Sequence, residues 1–140
     1  MAKLRDKIES ELENIDQVLT ELPNHADLQN LSTLEVAGVA ALLQSFYNGV
    51  ENVIKQILTS KDVPIPTGPS WHRDVVNLAY EHGMISQQTK GNLGDYLAFR
   101  HFVGHAYAFD VYPPRLVPLV QHIGGVYEQL RTDLRSILES

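Results

Sequence analysis

The sequence predicts an all-α fold: an antiparallel bundle of about five helices in a single domain spanning residues 1–140. Apolar residues recur at three- and four-residue spacing over long windows, as one face of a helix requires. No segment alternates apolar and polar residues over a strand-like length, and there is no internal repeat or low-complexity run. Capping residues, glycines and prolines punctuate the periodic stretches where short connections would fall.

The first helix is expected over 2–22, with Leu4, Ile8, Leu12, Ile15, Leu19 and Leu22 on one face and Pro23-Asn24 as its stop. Residues 24–31 read as a plain connection. Ser32-Thr33-Leu34-Glu35 has capping-box spacing, hydroxyl at the cap and carboxylate three residues on. The helix it starts runs to about Ser60. Val36, Val39, Leu42, Leu43, Phe46, Val50, Val53, Ile54 and Ile57 form its buried face, and Glu51 and Lys55 are spaced to pair. Gly38 and Gly49 weaken it slightly or allow close helix contact.

Pro64, Pro66, Gly68 and Pro69 mark a loop over 62–69. Ser70 is expected to cap a short helix over 71–82, and Gly83 to end it. Ser86 is expected to cap the next helix, 87–109, in which Gly91 and Gly94 are candidate kink points. Tyr112-Pro113-Pro114 breaks the chain. The last helix is expected over 114–138, with Val117, Val120, Ile123, Val126, Leu130, Leu134, Ile137 and Leu138 as its stripe. Pro118 is tolerable there because it lies near the first turn. Gly124-Gly125 reads as a helix-packing pair.

Composition narrows the function classes. With 44% hydrophobic and 20% charged residues, the chain resembles an ordinary soluble globular protein. No apolar run approaches 20 residues and no signal-type stretch opens the chain, so neither a membrane span nor a leader is expected. Absence of cysteine excludes disulfides, thiolate metal sites and a cysteine nucleophile, and fits a cytoplasmic location. A net charge of -6 argues against broad, non-specific nucleic-acid binding. The charge is uneven, however. Residues 1–30 hold seven acidic and three basic residues, whereas 71–115 balance four against four and hold four of the six histidines.

Those histidines bring attention to residues 96–109, the densest run of aromatic and titratable side chains. On a helix, Phe99, Phe102, Val103, Ala106 and Phe109 share about 120° of arc, a core stripe; Arg100, His101, Gly104, His105 and Tyr107 fill about 160° opposite. Arg100 and His105 stand about 140° apart and would not touch, but both can reach one phosphate lying across the helix. A guanidinium is permanently charged with paired donors, and an imidazole carries protons near neutral pH. Together they can cleave RNA without metal, the imidazole moving the proton and the guanidinium stabilising charge on phosphorus oxygens. Spacing alone equally permits a surface ion pair or a helix-end histidine.

His101 and His105 at i, i+4 could hold a metal, yet only Asp110 lies near enough in sequence to extend the set, and it points to the other face. His25 and His122 read as surface or satisfied, His72 and His82 receive no role, and Trp71 reads as a packing anchor. Tyr107 falls almost above Arg100, so its hydroxyl is expected at the site rim, a hydrogen-bonding aromatic or a modification target. Phosphate-cradling glycine loops, His-Glu-x-x-His helices and Gly-x-Ser-x-Gly elbows are absent.

Arg100, His101, His105 and Tyr107 make Arg-x4-His-x-Tyr, with a polar residue after the arginine. This resembles the motif of the HEPN superfamily (higher eukaryotes and prokaryotes nucleotide-binding), in the form found in HepT-type toxins. The segment 47–55 is similar to that family's second helix, and the helical layout matches over nearly the whole chain. His101 departs from the asparagine common there. The resemblance implies a metal-independent endoribonuclease without intrinsic cofactor, acting as a homodimer whose two motifs share a cleft. It implies Arg100, His105 and His101 as catalytic residues on an RNA substrate. It also implies a type VII-like toxin–antitoxin pair, in which a minimal nucleotidyltransferase of MntA type spends ATP to place AMP on Tyr107. Two rivals stand beside it: a non-catalytic nucleotide- or RNA-binding subunit that docks a nucleotidyltransferase, and a purely structural helical dimer.

Overall fold

A computed structural model describes residues 2–139. Its elements are α1 (Ala2–Glu21), a 3-10 helix (His25–Asn30), α2 (Thr33–Ser60), α3 (Trp71–Glu81), α4 (Gln87–Gly104), a 3-10 turn (Ala108–Asp110) and α5 (Pro113–Leu138). No strand occurs among the described residues, so the fold is the expected all-α bundle. No helix among them is long and apolar enough to cross a membrane.

α2 is the axis. It packs against α1, α3, α4 and α5, and its Phe46, Tyr47, Val50, Val53, Ile54, Ile57 and Leu58 are essentially fully buried. The Ser32–Glu35 capping box forms in both directions: Glu35 N–H donates to Ser32 Oγ at 3.1 Å, and Ser32 N–H donates to Glu35 Oε1 at 2.9 Å. α1 lies against α2 where Gly49 permits close approach. A Cβ at position 49 would sit 2.7 Å from Ile15 Cγ1. α3 ends on Gly83, at φ +72°, with Met84 N–H donating to Ala79 O and Gly83 N–H to Tyr80 O.

Several local expectations need correction. Residues 25–30 are not a plain connection but a 3-10 helix that buries Leu28 and packs on α5. Ser70 does not cap α3; its ψ of 18° is not extended, and its hydroxyl donates to Asp74 Oδ2 at 3.1 Å. Gly91 and Gly94 do not interrupt α4. A Cβ at Gly124 or Gly125 would meet nothing within 4 Å, so neither glycine permits a close helix contact among the described residues.

The largest correction lies at the end of α4, which stops at Gly104 rather than 109. The last turn tightens through i→i−3 bonds, His105 N–H to Phe102 O and Ala106 N–H to Val103 O. Asp110 then competes with helix continuation: its carboxylate accepts from Tyr107 N–H at 3.1 Å, and its own N–H donates to Tyr107 O at 2.9 Å. Phe109 consequently leaves the expected core stripe and is 73% exposed. Phe99 is buried, while Phe102 and Val103 are half-buried, Phe102 beneath the Arg115 guanidinium at 4.1 Å.

Candidate functional site

α4 is fixed to the core by Leu93, Tyr96 and Phe99, and Tyr96 donates its hydroxyl proton to Leu119 O at 2.8 Å. Burial, and then the Asp95 charge, push the Tyr96 phenol well above its usual range, so it stays protonated and serves as a pin. With Phe99 turned inward, the next residue, Arg100, emerges toward α3.

A cleft of about 410 Å³ opens there, between the start of α3 and the second half of α4. Ser70, His72, Arg73, Arg100 and His101 supply its polar lining, and no carboxylate lines it. In a protein of net charge -6, this is a locally cationic surface suited to an anion. A second cleft, about 310 Å³ between α1 and α5, sets Glu9, Glu13, Asp16 and Glu139 against Arg131 and Arg135, so it is net acidic and unsuited to an anion.

The Arg100 guanidinium has two polar side-chain neighbours. Nε–H donates to Asn48 Oδ1 at 2.9 Å, and Nη1 lies 3.4 Å from His72 Nε2. Behind His72 stands Glu51, 3% exposed, with Oε2 2.7 Å from His72 Nδ1. Glu51 therefore does not pair with Lys55 as its spacing suggested. Lys55 Nζ sits instead 5.0 Å from the Trp71 ring, which stacks on His72 at 3.6 Å. Tyr47 lies beside the same carboxylate. Burial, and then the Glu51 charge, raise its pKa far above the ordinary phenol value, with Arg100 pulling weakly the other way.

His101 is exposed and lines the cleft. His105 is the C-cap of α4 and does not line it, so one chain brings Arg100 together with His101 but not with His105. The two imidazoles are neighbours, with ring centroids 4.6 Å apart. His105 Nδ1 donates to His101 O at 2.9 Å, which leaves Nε2 as the atom free for proton transfer. Tyr107 lies beyond the helix rather than two turns above Arg100. It is 72% exposed and stacks on Phe109 at 5.4 Å. Among the described residues, no group of three or more His, Asp or Glu side chains could hold a metal.

Asn48, Glu51, His72 and Arg73 were not expected in the site. One signal for them exists: Glu51 falls four residues after Tyr47 and three before Ile54, on the buried stripe of α2, where a carboxylate needs a partner. That the partner would be His72, across a proline-rich loop, is not encoded in any spacing.

The all-α bundle, with Arg100 on α4 and His105 at its C-cap, is the arrangement that the resemblance to the HEPN superfamily implies. A family model described as HepT-like protein matches residues 38–140, and the chain belongs to that HepT-like family of the superfamily. No curated protein and no solved structure matches it.

Proposed function

We propose that this HepT-like protein is a metal-independent endoribonuclease, the toxin of a toxin–antitoxin pair, acting as a homodimer. The observation that carries the reading is the state of Arg100: oriented by Asn48 and His72, unquenched by any carboxylate in its cleft, and half-buried where an anion can reach it. A guanidinium so held is worth more to a phosphate than a solvated one, because its orientation is fixed beforehand. His105 lies outside the cleft of its own chain, and a second copy would bring its Nε2 to the phosphate held by Arg100. The 2′-oxygen then attacks phosphorus as its proton passes to an imidazole. The phosphorus–O5′ bond breaks, and O5′ leaves with a proton, giving a 2′,3′-cyclic phosphate and a 5′-hydroxyl end. His101 assists by hydrogen bonding.

In this reading Tyr107 is the switch. Its exposed hydroxyl is open to a partner nucleotidyltransferase of MntA type, and an AMP group there would add bulk and negative charge just past the end of α4, two residues from His105. Mass spectrometry after incubation with that partner and ATP should place the added mass on Tyr107; mass on another residue, or none, counts against the switch.

The decisive assay is RNA cleavage in chelator. The wild type is expected to cut, and His105→Ala to lose about 10²–10⁴-fold in rate with helicity and dimerisation intact. Cleavage at the parent rate by the variant would end the assignment. One rival keeps an observation of its own. Net charge -6, with His105 outside the cleft, suits a non-catalytic subunit that binds a nucleotide or RNA end and docks the transferase. Tight RNA binding by the wild type without cleavage over hours would favour it.

A further inference from the structure

The Glu51–His72 pair moves no proton and touches no substrate in the reaction just described, yet it is built like a working dyad. Its carboxylate is almost wholly buried and takes the short 2.7 Å contact from Nδ1. Its imidazole is clamped by the Trp71 ring on one face. Its far nitrogen points at Arg100. An arginine N–H donates and never accepts, so the contact at Nε2 requires a lone pair on that nitrogen. A buried carboxylate at Nδ1 requires the proton there. Both ends of the ring thus select the neutral imidazole with its hydrogen on Nδ1.

We infer that His72 is a positioning residue for Arg100: Glu51 fixes its tautomer, and its Nε2, with Asn48 Oδ1, holds the guanidinium facing the cleft. The arrangement solves a specific problem. A carboxylate placed directly on Arg100 would orient it but cancel the charge that an anion needs. An imidazole in between transmits the orientation and keeps the carboxylate one side chain away. Other titratable groups stand nearby: Tyr47 on α2 beside Glu51, Arg73 on α3 and His101 on α4 along the same cleft, and Lys55 over Trp71.

The role in cleavage rests on the ribonuclease reading, but its first test does not. In the nitrogen-15 histidine spectrum of the wild type near pH 7.5, His72 is expected as the Nδ1–H tautomer, and Glu51→Gln should weaken that preference. The Arg100 Nε–H signal is expected to be sharp in the wild type, broadened by exchange in His72→Ala, and restored in His72→Gln, whose amide oxygen can accept from the guanidinium. RNA cleavage should follow the same order, falling about tenfold or more in His72→Ala and recovering in His72→Gln. An Nε2–H or cationic His72 in the wild type would overturn the inference. So would an Arg100 signal indifferent to position 72, a readout that does not require RNA. Expected spectra from a wild type that cuts no RNA would leave the positioning role standing and remove the ribonuclease reading instead.

Discussion

The two ends of α4 are built by the same means to opposite purposes. Each meets a carboxylate from another helix. At the N-terminal end, Asp133 of α5 accepts directly from Ser86 N–H at 3.0 Å, from the Ser86 hydroxyl at 3.1 Å and from the Thr89 hydroxyl at 2.6 Å. Ser86 in turn accepts from Thr89 N–H, so the helix start is locked and its polar groups are satisfied. At the C-terminal end, Glu51 of α2 stands behind an imidazole and leaves the Arg100 charge available. A carboxylate in direct contact secures a helix; one a side chain removed aims a cation.

The largest effect that separates the two ends should be on activity. Arg100→Ala is expected to reduce RNA cleavage by about 10²–10³-fold, the scale of losing one charge-stabilising donor, while the melting temperature scarcely moves. An equal loss of stability would mean that Arg100 is structural after all.

Next in size is Asp133→Ala, expected to cost about 1–3 kcal/mol by stranding buried donors, chiefly the fully buried Thr89. Denaturant melts would measure it, with cleavage by the folded fraction unchanged.

The Asp133 contribution also has a pH signature. Burial alone would raise its pKa, but the bonds from Ser86, Thr89 and Gln129 outweigh burial, and the net shift is downward. A depressed carboxylate stabilises the fold above its unfolded value of about 3.9, and that contribution fades as pH falls through the lower folded value. The stability gap between wild type and Asp133→Asn should therefore be full at pH 6 and shrink below about pH 4. A gap that stays constant into acid would show that the carboxylate's charge is irrelevant.

The smallest effect concerns Gly104, whose Cβ position is open space and whose φ is ordinary. Gly104→Ala should firm up the last turn of α4 and add at most about 1 kcal/mol. A loss of stability there would indicate strain that the backbone does not show.

The same contrast governs what could be read from sequence. The N-terminal end was legible because its signals are local: Ser86 before a periodic run and the Ser32–Glu35 box both cap as their spacing suggests, whereas Ser70, whose backbone is not extended, does not. Helices were legible because their stripes are long. The C-terminal end was read one turn too far, since Phe109 continues the apolar period and Asp110 gives no sign that it will turn back on Tyr107. Arg100, His101 and His105 were singled out by residue type. Asn48, Glu51 and His72 escaped because their relation to Arg100 spans 52, 49 and 28 positions and exists only once α2, α3 and α4 pack.

The His105 imidazole is tethered to a carbonyl of the final turn of its own helix. Unwinding that turn would set the ring spinning while the rest of the bundle stayed intact. Warming the protein should therefore extinguish turnover some degrees before circular dichroism registers any melting.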